Sequence, residues 1–226
     1  MTLLPAPLPA LIRWDEALFK LINAGHAGLF DAVFWSLSTF GSGWGIIPAY
    51  ALLVFLTAGR RRIWLIVAAS AVTLIAGGIL SAVMKEHVDR DRPTVRFRES
   101  APSPLPAAAA PEGIASDAAA QSAQVEAGRP FAVHNIGPRL RDHSFPSGHT
   151  WTAFAIATLM TLFFGRRYRW AYLAAAAIGY SRIYVGVHFP LDVLGGACCG
   201  TLLAFLVWRI AAWIAPGRAR FDSTAA

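Results

Sequence analysis

One stretch limits the possible folds of this chain more than any other. Residues 63–84 form a run of 22 uncharged, mostly apolar residues. Because an α-helix rises about 1.5 Å per residue, such a run spans a hydrocarbon core of about 30 Å. The whole chain is 56% hydrophobic and only 15% charged, with a mean hydropathy of +0.48. This composition is typical of a membrane protein.

Further apolar runs lie on both sides of this stretch. Together they predict six transmembrane helices, over 27–41, 44–58, 63–84, 150–165, 170–187 and 190–215. The first predicted span is short and contains Asp31. We therefore expect an all-α fold: a polytopic membrane helix bundle in a single domain over residues 1–226.

The positive charges indicate how the bundle is oriented. The net charge of +7 comes from 18 arginines and two lysines, and the arginines cluster at 60–62, 166–169 and 218–220. These clusters fall at alternate ends of successive predicted spans, so the positive-inside rule places all of them in the cytoplasm. Both termini are then predicted to be cytoplasmic. Clustering between spans favours membrane orientation over a nucleic-acid-binding surface.

Two segments fall outside the predicted spans. Residues 11–24 place apolar side chains at helical spacing against charged ones, which predicts an interfacial amphipathic helix. Residues 94–143 connect the third and fourth spans, and their middle is rich in alanine, proline and serine. Such a composition buries little apolar surface, so we predict a mobile outer loop. The arginines at its ends either attract an anionic headgroup or are simply solvated: Arg96, Arg98, Arg129, Arg139 and Arg141.

The segment His143–His149, with the sequence HSFPSGH, opens the fourth apolar run. Pro146 and Ser147 are typical of a helix start, with Ser147 as the candidate N-cap. A helix N-terminus presents backbone N–H groups that bind anions such as phosphate. His149 in the first turn is placed to transfer a proton. The alternative is a capped membrane helix with an incidental histidine.

Two more segments carry charged or titratable residues at the same predicted outer face. Upstream, Lys85 and Arg92–Pro93 are separated by six residues; downstream, Ser181–Arg182 precedes His188 and Asp192. Lys85 and Arg92 are either phosphate ligands or a juxtamembrane pair that reaches the membrane surface. Arg182 lies inside an apolar run on the outer side, where a positive charge opposes the orientation rule. Asp192 either orients His188 or caps the last span.

These residue types fit phosphoryl transfer. Lys85, Arg92 and Arg182 provide three cations for a phosphate dianion, and the backbone near Ser147 and Gly148 adds neutral donors. A carboxylate hydrogen-bonded to one nitrogen of His188 leaves the other nitrogen free to attack phosphorus. His149 then acts as general acid and later as general base. This scheme needs no metal and no cofactor, and the sequence has no carboxylate cluster to hold a metal.

The three segments resemble the signature of the type-2 phosphatidic acid phosphatase superfamily, which includes the vanadium haloperoxidases. The shared pattern is Lys-x6-Arg-Pro, then Pro-Ser-Gly-His, then Ser-Arg-x5-His-x3-Asp, and this chain matches every position. The resemblance implies that His188 is the phosphohistidine nucleophile, Asp192 its partner and His149 the acid/base. It also implies that Lys85, Arg92, Ser147, Gly148 and Arg182 bind the phosphate.

The resemblance implies an enzyme that hydrolyses a lipid phosphate at the outer, periplasmic face of a bacterial inner membrane. Residues 21–24 and the small size are similar to bacterial undecaprenyl-diphosphate phosphatases, so undecaprenyl diphosphate is the first expected substrate. Phosphatidylglycerophosphate, phosphatidic acid and lipid A phosphates remain alternatives. Two other classes of protein are alternatives to a phosphatase: a vanadate-dependent oxidase, and a lipid transporter or scaffold. We assign His87, His134 and His143 to surface loops, and Cys198 and Cys199 to apolar filling.

Overall fold

The computed structural model describes residues 7–26, 28–99, 131–136 and 143–219, and in these ranges all regular structure is helical. Nine α-helices are described, with a short 3-10 helix, Arg166–Trp170, between the sixth and the seventh. Their bounds are α1 Pro7–Asn23, α2 Gly28–Phe40, α3 Gly43–Thr57, α4 Arg60–Val88, α5 Pro93–Glu99, α6 Gly148–Phe164, α7 Ala171–Tyr184, α8 Pro190–Ile214 and α9 Pro216–Ala219. Each of the six predicted apolar runs is therefore helical, which confirms the all-α class.

The prediction of six separate spans is not confirmed. Within the described residues, the segment Arg60–Phe97 and the helix Pro190–Ile214 are long and apolar enough to cross a membrane. A third span is possible if α2 and α3 are taken together, because these two helices meet at a bend of 63°. Helix α2 has 13 residues and α3 has 15. At about 1.5 Å per residue, each helix alone is too short to cross a hydrocarbon core of about 30 Å.

The bend explains why the sequence suggested two spans where the chain makes one bent pair. Glycines at positions 41, 43 and 45 surround the break, and glycine has low helix propensity. Two antiparallel spans would need the chain to reverse its direction, whereas a bend of 63° lets it continue. A short polar break between two apolar runs is compatible with either arrangement in sequence alone.

The two ends of the bundle differ in chemistry. At one end, the start of α4 lies against the end of α6, where Arg62 donates a hydrogen bond to the Phe163 carbonyl at 2.9 Å. Exposed tryptophans mark the same end, with Trp64 in α4, Trp170 after α6 and Trp213 in α8. Arginines beside tryptophans are typical of a membrane–water interface. The opposite end carries the three sequence motifs.

The connection predicted as a mobile loop is ordered at both of its ends. Phe97 in α5 and Phe131 pack with Phe19 of α1 and Phe189, and the Phe19–Phe189 ring centroids are 5.2 Å apart. The predicted loop, 94–143, is therefore too long at both ends, because the aromatic side chains at positions 97 and 131 pack against Phe19. Residues 100–130 and 137–142, with Arg129, Arg139 and Arg141, lie outside the described residues.

The close approach of α6 and α8 sets the geometry of the motif end. Gly196 and Gly200, four residues apart on α8, face the start of α6. A Cβ atom at Gly200 would overlap the carbonyl group of Trp151, and one at Gly196 would meet the Ser147 carbonyl oxygen. Small residues at this spacing let two membrane helices approach closely. The contact brings residues 147–151 next to the beginning of α8.

We predict that Gly200→Ala destabilises the protein because its Cβ atom would push α8 away from α6. The matched control is Gly78→Ala in α4, where a Cβ atom meets nothing within 4 Å. Relative to this control, Gly200→Ala should cost about 1–3 kcal/mol, as overpacking does elsewhere. The measurement is the thermal unfolding midpoint of both variants in detergent. Equal midpoints would contradict this account of the α6–α8 contact.

Candidate active site

Hydrogen bonds to backbone carbonyl groups hold the three sequence motifs together at one end of the bundle. The Ser144 N–H donates to the Arg90 carbonyl at 2.7 Å, and the Ser147 N–H donates to the Asp192 carbonyl at 3.0 Å. Arg92 donates to the Val187 carbonyl at 2.9 Å. Each motif is therefore bonded to another one. The structure brings together the segments that the sequence predicted to meet.

His188 lies in the loop between α7 and α8 and is only 2% exposed. The N–H groups of Val187 and His188 both point back to the Arg182 carbonyl, at 3.2 and 3.3 Å, and Gly186 supplies the positive φ of 82° that this turn needs. His188 Nδ1 lies 3.6 Å from Asp192 Oδ2. The other ring nitrogen, Nε2, lies 3.4 Å from Arg92 Nη1 and so faces the cationic side chains.

The His188 ring is neutral near pH 7. Burial lowers its pKa to about 4, and the charges of Arg92 and Arg182 act in the same direction, while Asp192 raises it. Burial has this effect because it disfavours the charged imidazolium. A neutral ring whose Nδ1 side is turned to a carboxylate has a lone pair at Nε2 available for attack.

Asp192 is fully buried and is held from several sides. Its Oδ2 atom accepts a hydrogen bond from the Phe189 N–H at 2.8 Å, and its Oδ1 atom accepts one from Arg90 at 2.6 Å. Arg90 also forms an ion pair with Asp15 of α1, and Asp15 accepts a hydrogen bond from the Leu191 N–H at 2.8 Å. An Asp15–Arg90–Asp192 chain thus orients the carboxylate that faces His188.

Two arginines are buried beside the histidines. Arg92 is 2% exposed and Arg182 is 7% exposed. Arg182 donates a hydrogen bond to Ser38 of α2, while its Nε atom has no hydrogen-bond partner among the described residues. A buried donor without an acceptor costs free energy. The site therefore has unused capacity for an anion.

His149 lies in the first turn of α6. The charges of Arg182, Lys85 and Arg92 and the ring of His188 all act on it electrostatically. All three predicted phosphate-binding cations thus act on His149, and Arg92 and Arg182 also act on His188. Their binding of phosphate stays a prediction.

The hydrogen bonds of Ser147 differ from those predicted for an N-cap that binds phosphate. It occupies the N-cap position of α6 but makes no capping hydrogen bond through its side chain. Its hydroxyl accepts a hydrogen bond from Thr150 at 3.0 Å, and its N–H already donates to Asp192. The donors that α6 offers to an anion therefore begin at Gly148, because the first N–H groups of a helix have no acceptor within it.

Among the described residues, one cluster away from the predicted site has metal-ligand chemistry. His26, Asp31 and His134 offer ligand atoms within 4.8 Å of one another. The two imidazole rings are stacked, however, with centroids 3.6 Å apart and planes inclined by 28°. Because the lone pair of an imidazole nitrogen lies in the plane of its ring, two stacked rings do not direct their lone pairs at one ion between them. His26 and Tyr184 instead hydrogen-bond to Asp31, both at 2.8 Å.

The remaining predicted residues have local roles. His134 is not a simple loop residue, because its backbone N–H and carbonyl both bond to the Asn23 side chain at 2.9 Å. His143 pairs with Asp89 at 3.0 Å, and His87 is exposed. Arg96 pairs with Glu16 of α1 at 3.0 Å. Cys198 and Cys199 are free thiols.

Sequence reasoning missed the residues that support the site from outside the motifs. Asp15, Asn23 and Ser38 are polar residues in apolar or amphipathic helices, and all three are buried. The helical spacing of Asp15, Phe19 and Asn23 was the available signal, since it defines one face of α1. Arg90 lies inside the first motif, between two positions that matched the expected pattern.

A family model described as the PAP2 superfamily matches residues 66–215. Undecaprenyl-diphosphatase BcrC of Bacillus subtilis is 40% identical over 92 residues, which are 39% of this chain and 47% of that protein. This alignment spans less than half of the Bacillus protein.

Two longer matches cover most of the chain. An undecaprenyl-diphosphatase of Sulfolobus acidocaldarius is 27% identical over 207 residues, which are 88% of this chain and 79% of that protein. The crystal structure of Aquifex aeolicus LpxE superposes with a TM-score of 0.60 at 26% identity, covering 85% of this chain and 93% of that one. The helical arrangement is therefore shared along nearly the whole length.

We predict that Asp192→Asn lowers the rate constant kcat of lipid phosphate hydrolysis by on the order of 10⁴-fold. An amide cannot stabilise a positive charge on His188, and the equivalent change in another histidine–carboxylate pair has a comparable effect. The control is Asp91→Asn, because the Asp91 side chain is exposed. The measurement is phosphate release at saturating substrate by folded protein. A loss smaller than tenfold would show that Asp192 does not assist His188.

Proposed function

The chain belongs to the PAP2 superfamily, and on this basis we propose that it is a membrane lipid phosphatase with His188 as its nucleophile. The observation that carries the proposal is the burial of Arg92 and Arg182, at 2% and 7% exposure, beside His188 and His149. The Nε atom of Arg182 has no hydrogen-bond partner among the described residues, and a buried donor without an acceptor costs free energy. A phosphate group bound beside this side chain would supply the acceptor.

The first chemical step transfers the phosphoryl group to the protein. The Nε2 atom of His188 attacks phosphorus, and the bond from phosphorus to the leaving oxygen breaks as the N–P bond forms. His149 gives its proton to that oxygen. Lys85, Arg92, Arg182 and the backbone N–H groups that begin at Gly148 bind the other phosphate oxygens and stabilise the charge of the transition state.

The second step releases phosphate. A water molecule attacks the phosphorus of phosphohistidine 188, His149 takes a proton from this water, and the N–P bond breaks. Asp192 stabilises the positive charge that His188 carries while it is phosphorylated. The cations do the work of charge neutralisation, so the proposed mechanism uses no metal and no cofactor.

The proposed first substrate is undecaprenyl diphosphate. Two of the relatives described above carry the name undecaprenyl-diphosphatase, one of them over 88% of this chain. Phosphatidylglycerophosphate, phosphatidic acid and lipid A phosphates are the alternatives within the same mechanism, because the site residues contact phosphate and not the lipid tail.

The arrangement in the membrane is also a proposal. If α2 and α3 form one broken crossing, the chain crosses the membrane five times, and the other crossings are α4, α6, α8 and α7 together with the 3-10 helix that precedes it. The arginine clusters at 60–62 and 166–169 then remain cytoplasmic and the site lies at the outer face of a bacterial inner membrane. Because α1 bonds to the site through Asp15 and Asn23, it lies at the outer face too, and not in the cytoplasm.

We expect purified protein in detergent to release phosphate from undecaprenyl diphosphate in the presence of excess chelator, and His188→Ala to abolish the release. The reason is that the variant has no nitrogen to form the phosphohistidine. His87→Ala is the matched control, since His87 is exposed on α4 and has no part in the mechanism. Phosphatidylglycerophosphate and a lipid A preparation are assayed in parallel to rank the substrates.

Several outcomes would reject parts of this proposal. Release that disappears with chelator would reject the metal-free mechanism. Release that persists in His188→Ala would reject the assigned nucleophile. Folded wild-type protein without activity on any of the lipids would favour a lipid transporter or scaffold, and vanadium bound to the purified protein would favour the oxidase alternative.

The membrane arrangement predicts which face each exposed residue occupies. In a variant whose Cys198 and Cys199 are replaced by serine, we expect Arg13→Cys to react with a membrane-impermeant thiol reagent added to intact spheroplasts. Arg167→Cys should react only after permeabilisation, because it lies at the arginine-rich end. Both positions are exposed. An Arg13→Cys variant that reacts only after permeabilisation would restore a cytoplasmic N-terminal helix.

A further inference from the structure

A cavity of about 250 Å³ lies directly beside His149, between α4 and the start of α6. At about 30 Å³ per water molecule, it has room for a phosphate group and the first atoms of a lipid tail. Its walls combine four glycines with residues that can donate a proton or a hydrogen bond. They include Gly77, Gly78 and Ser81 of α4 and Gly148, His149 and Trp151 of α6.

The indole of Trp151 gives this cavity a specific chemistry. Trp151 is 5% exposed, and its Nε1–H has no hydrogen-bond acceptor among the described residues. The Nε1 atom lies against Gly77, where a Cβ atom would come within 2.6 Å of it. A buried tryptophan usually finds a partner for its N–H group. This N–H group therefore has a free donor position that an acceptor atom of a bound ligand can fill.

The position of the cavity relative to the two histidines identifies that ligand. His149 lines the cavity, whereas His188, Arg92 and Arg182 are absent from its described lining. In the displacement at phosphorus, the nucleophile and the leaving oxygen stand on opposite sides of the phosphorus atom. The general acid must contact the leaving oxygen. The cavity beside His149 is thus on the side where the leaving group departs.

We propose that this cavity binds the part of the leaving group next to the scissile bond, and that the Trp151 N–H donates to an acceptor oxygen there. The inference rests on the proposed function. In a lipid diphosphate, the bond from the terminal phosphorus to the bridging oxygen breaks. That oxygen takes the proton of His149 and stays on the lipid monophosphate, whose phosphate is the acceptor.

The chemistry of the walls suits such a group. Ser81 lies one helical turn before Lys85 on α4 and has its side chain almost buried, so its hydroxyl adds a second neutral donor below the cationic site. Neutral donors stabilise the phosphate that remains on the lipid without holding the product as tightly as another arginine would. The leaving group of a prenyl monophosphate is an alcohol whose single oxygen is the leaving oxygen itself, so it has no further oxygen to accept from Trp151. The ester oxygens of a glycerophospholipid are the other possible acceptor.

The test compares two substrates that differ only in this group with a third substrate that carries ester oxygens. Farnesyl diphosphate and farnesyl phosphate share one tail, and dioleoyl phosphatidic acid supplies ester oxygens. Trp151→Phe keeps an aromatic ring and removes the N–H. We expect kcat/KM for farnesyl diphosphate to fall about tenfold to hundredfold, the effect of one hydrogen bond to a charged group. The value for farnesyl phosphate should change less than twofold. A comparable fall for phosphatidic acid would show that ester oxygens use the same donor.

Controls separate this inference from a general defect. Trp64→Phe makes the same change at an exposed position and should leave all three values unchanged, and unfolding midpoints check that each variant is folded. Ser81→Ala provides a second probe and should also lower the diphosphate value selectively. Equal losses on all three substrates, or no loss on any, would overturn the inference. Wild-type release that is lost in His188→Ala, measured on the same substrates, shows that the proposed function itself holds; its absence would reject both.

Discussion

Asp192 is the residue on which the rest of the site depends. Its side chain accepts hydrogen bonds from the Phe189 N–H and from Arg90, and it faces His188, while its backbone carbonyl accepts the Ser147 N–H. One buried residue thus contacts all three motifs. A buried carboxylate is stable only when it is paired and hydrogen-bonded. Removing one hydrogen-bond partner of the Asp192 carboxylate would therefore disturb its contacts with the other motifs and with His188.

This arrangement requires that the start of α8 lie very close to the start of α6. Gly196 and Gly200 allow the approach because they remove side chains from the contact. The backbone of α8 can then accept a hydrogen bond from the first residues of α6, and His149 comes within electrostatic range of His188. The packing of α6 against α8 consequently also determines the geometry of the site. The same glycines that stabilise the bundle also align its two histidines.

Much of this could be predicted from the sequence. The apolar runs located every long helix, and three motifs at alternate ends of successive runs indicated that Lys85, Arg92, His149, Arg182 and His188 would meet. The number of crossings could not be predicted, because a glycine-rich break fits both a reversal and a bend. Neither could the use of the Ser147 N–H, which depends on a carbonyl 45 positions away in sequence. The partners of buried charges, such as Ser38 and Asp15, are set by tertiary packing and leave no local pattern.

The helices before the matched family region are part of the site's support. The PAP2 match covers residues 66–215, yet Asp15 pairs with Arg90, Ser38 accepts a hydrogen bond from Arg182, and Asn23 bonds to the Tyr184 carbonyl. Each of these contacts joins α1 or α2 to a residue in or next to a motif. The apolar side chains of α1, Trp14 and Leu21 among them, are exposed, as expected for a helix that lies in the membrane interface. Through Asp15 and Arg90, α1 is linked to Asp192, the carboxylate that faces His188.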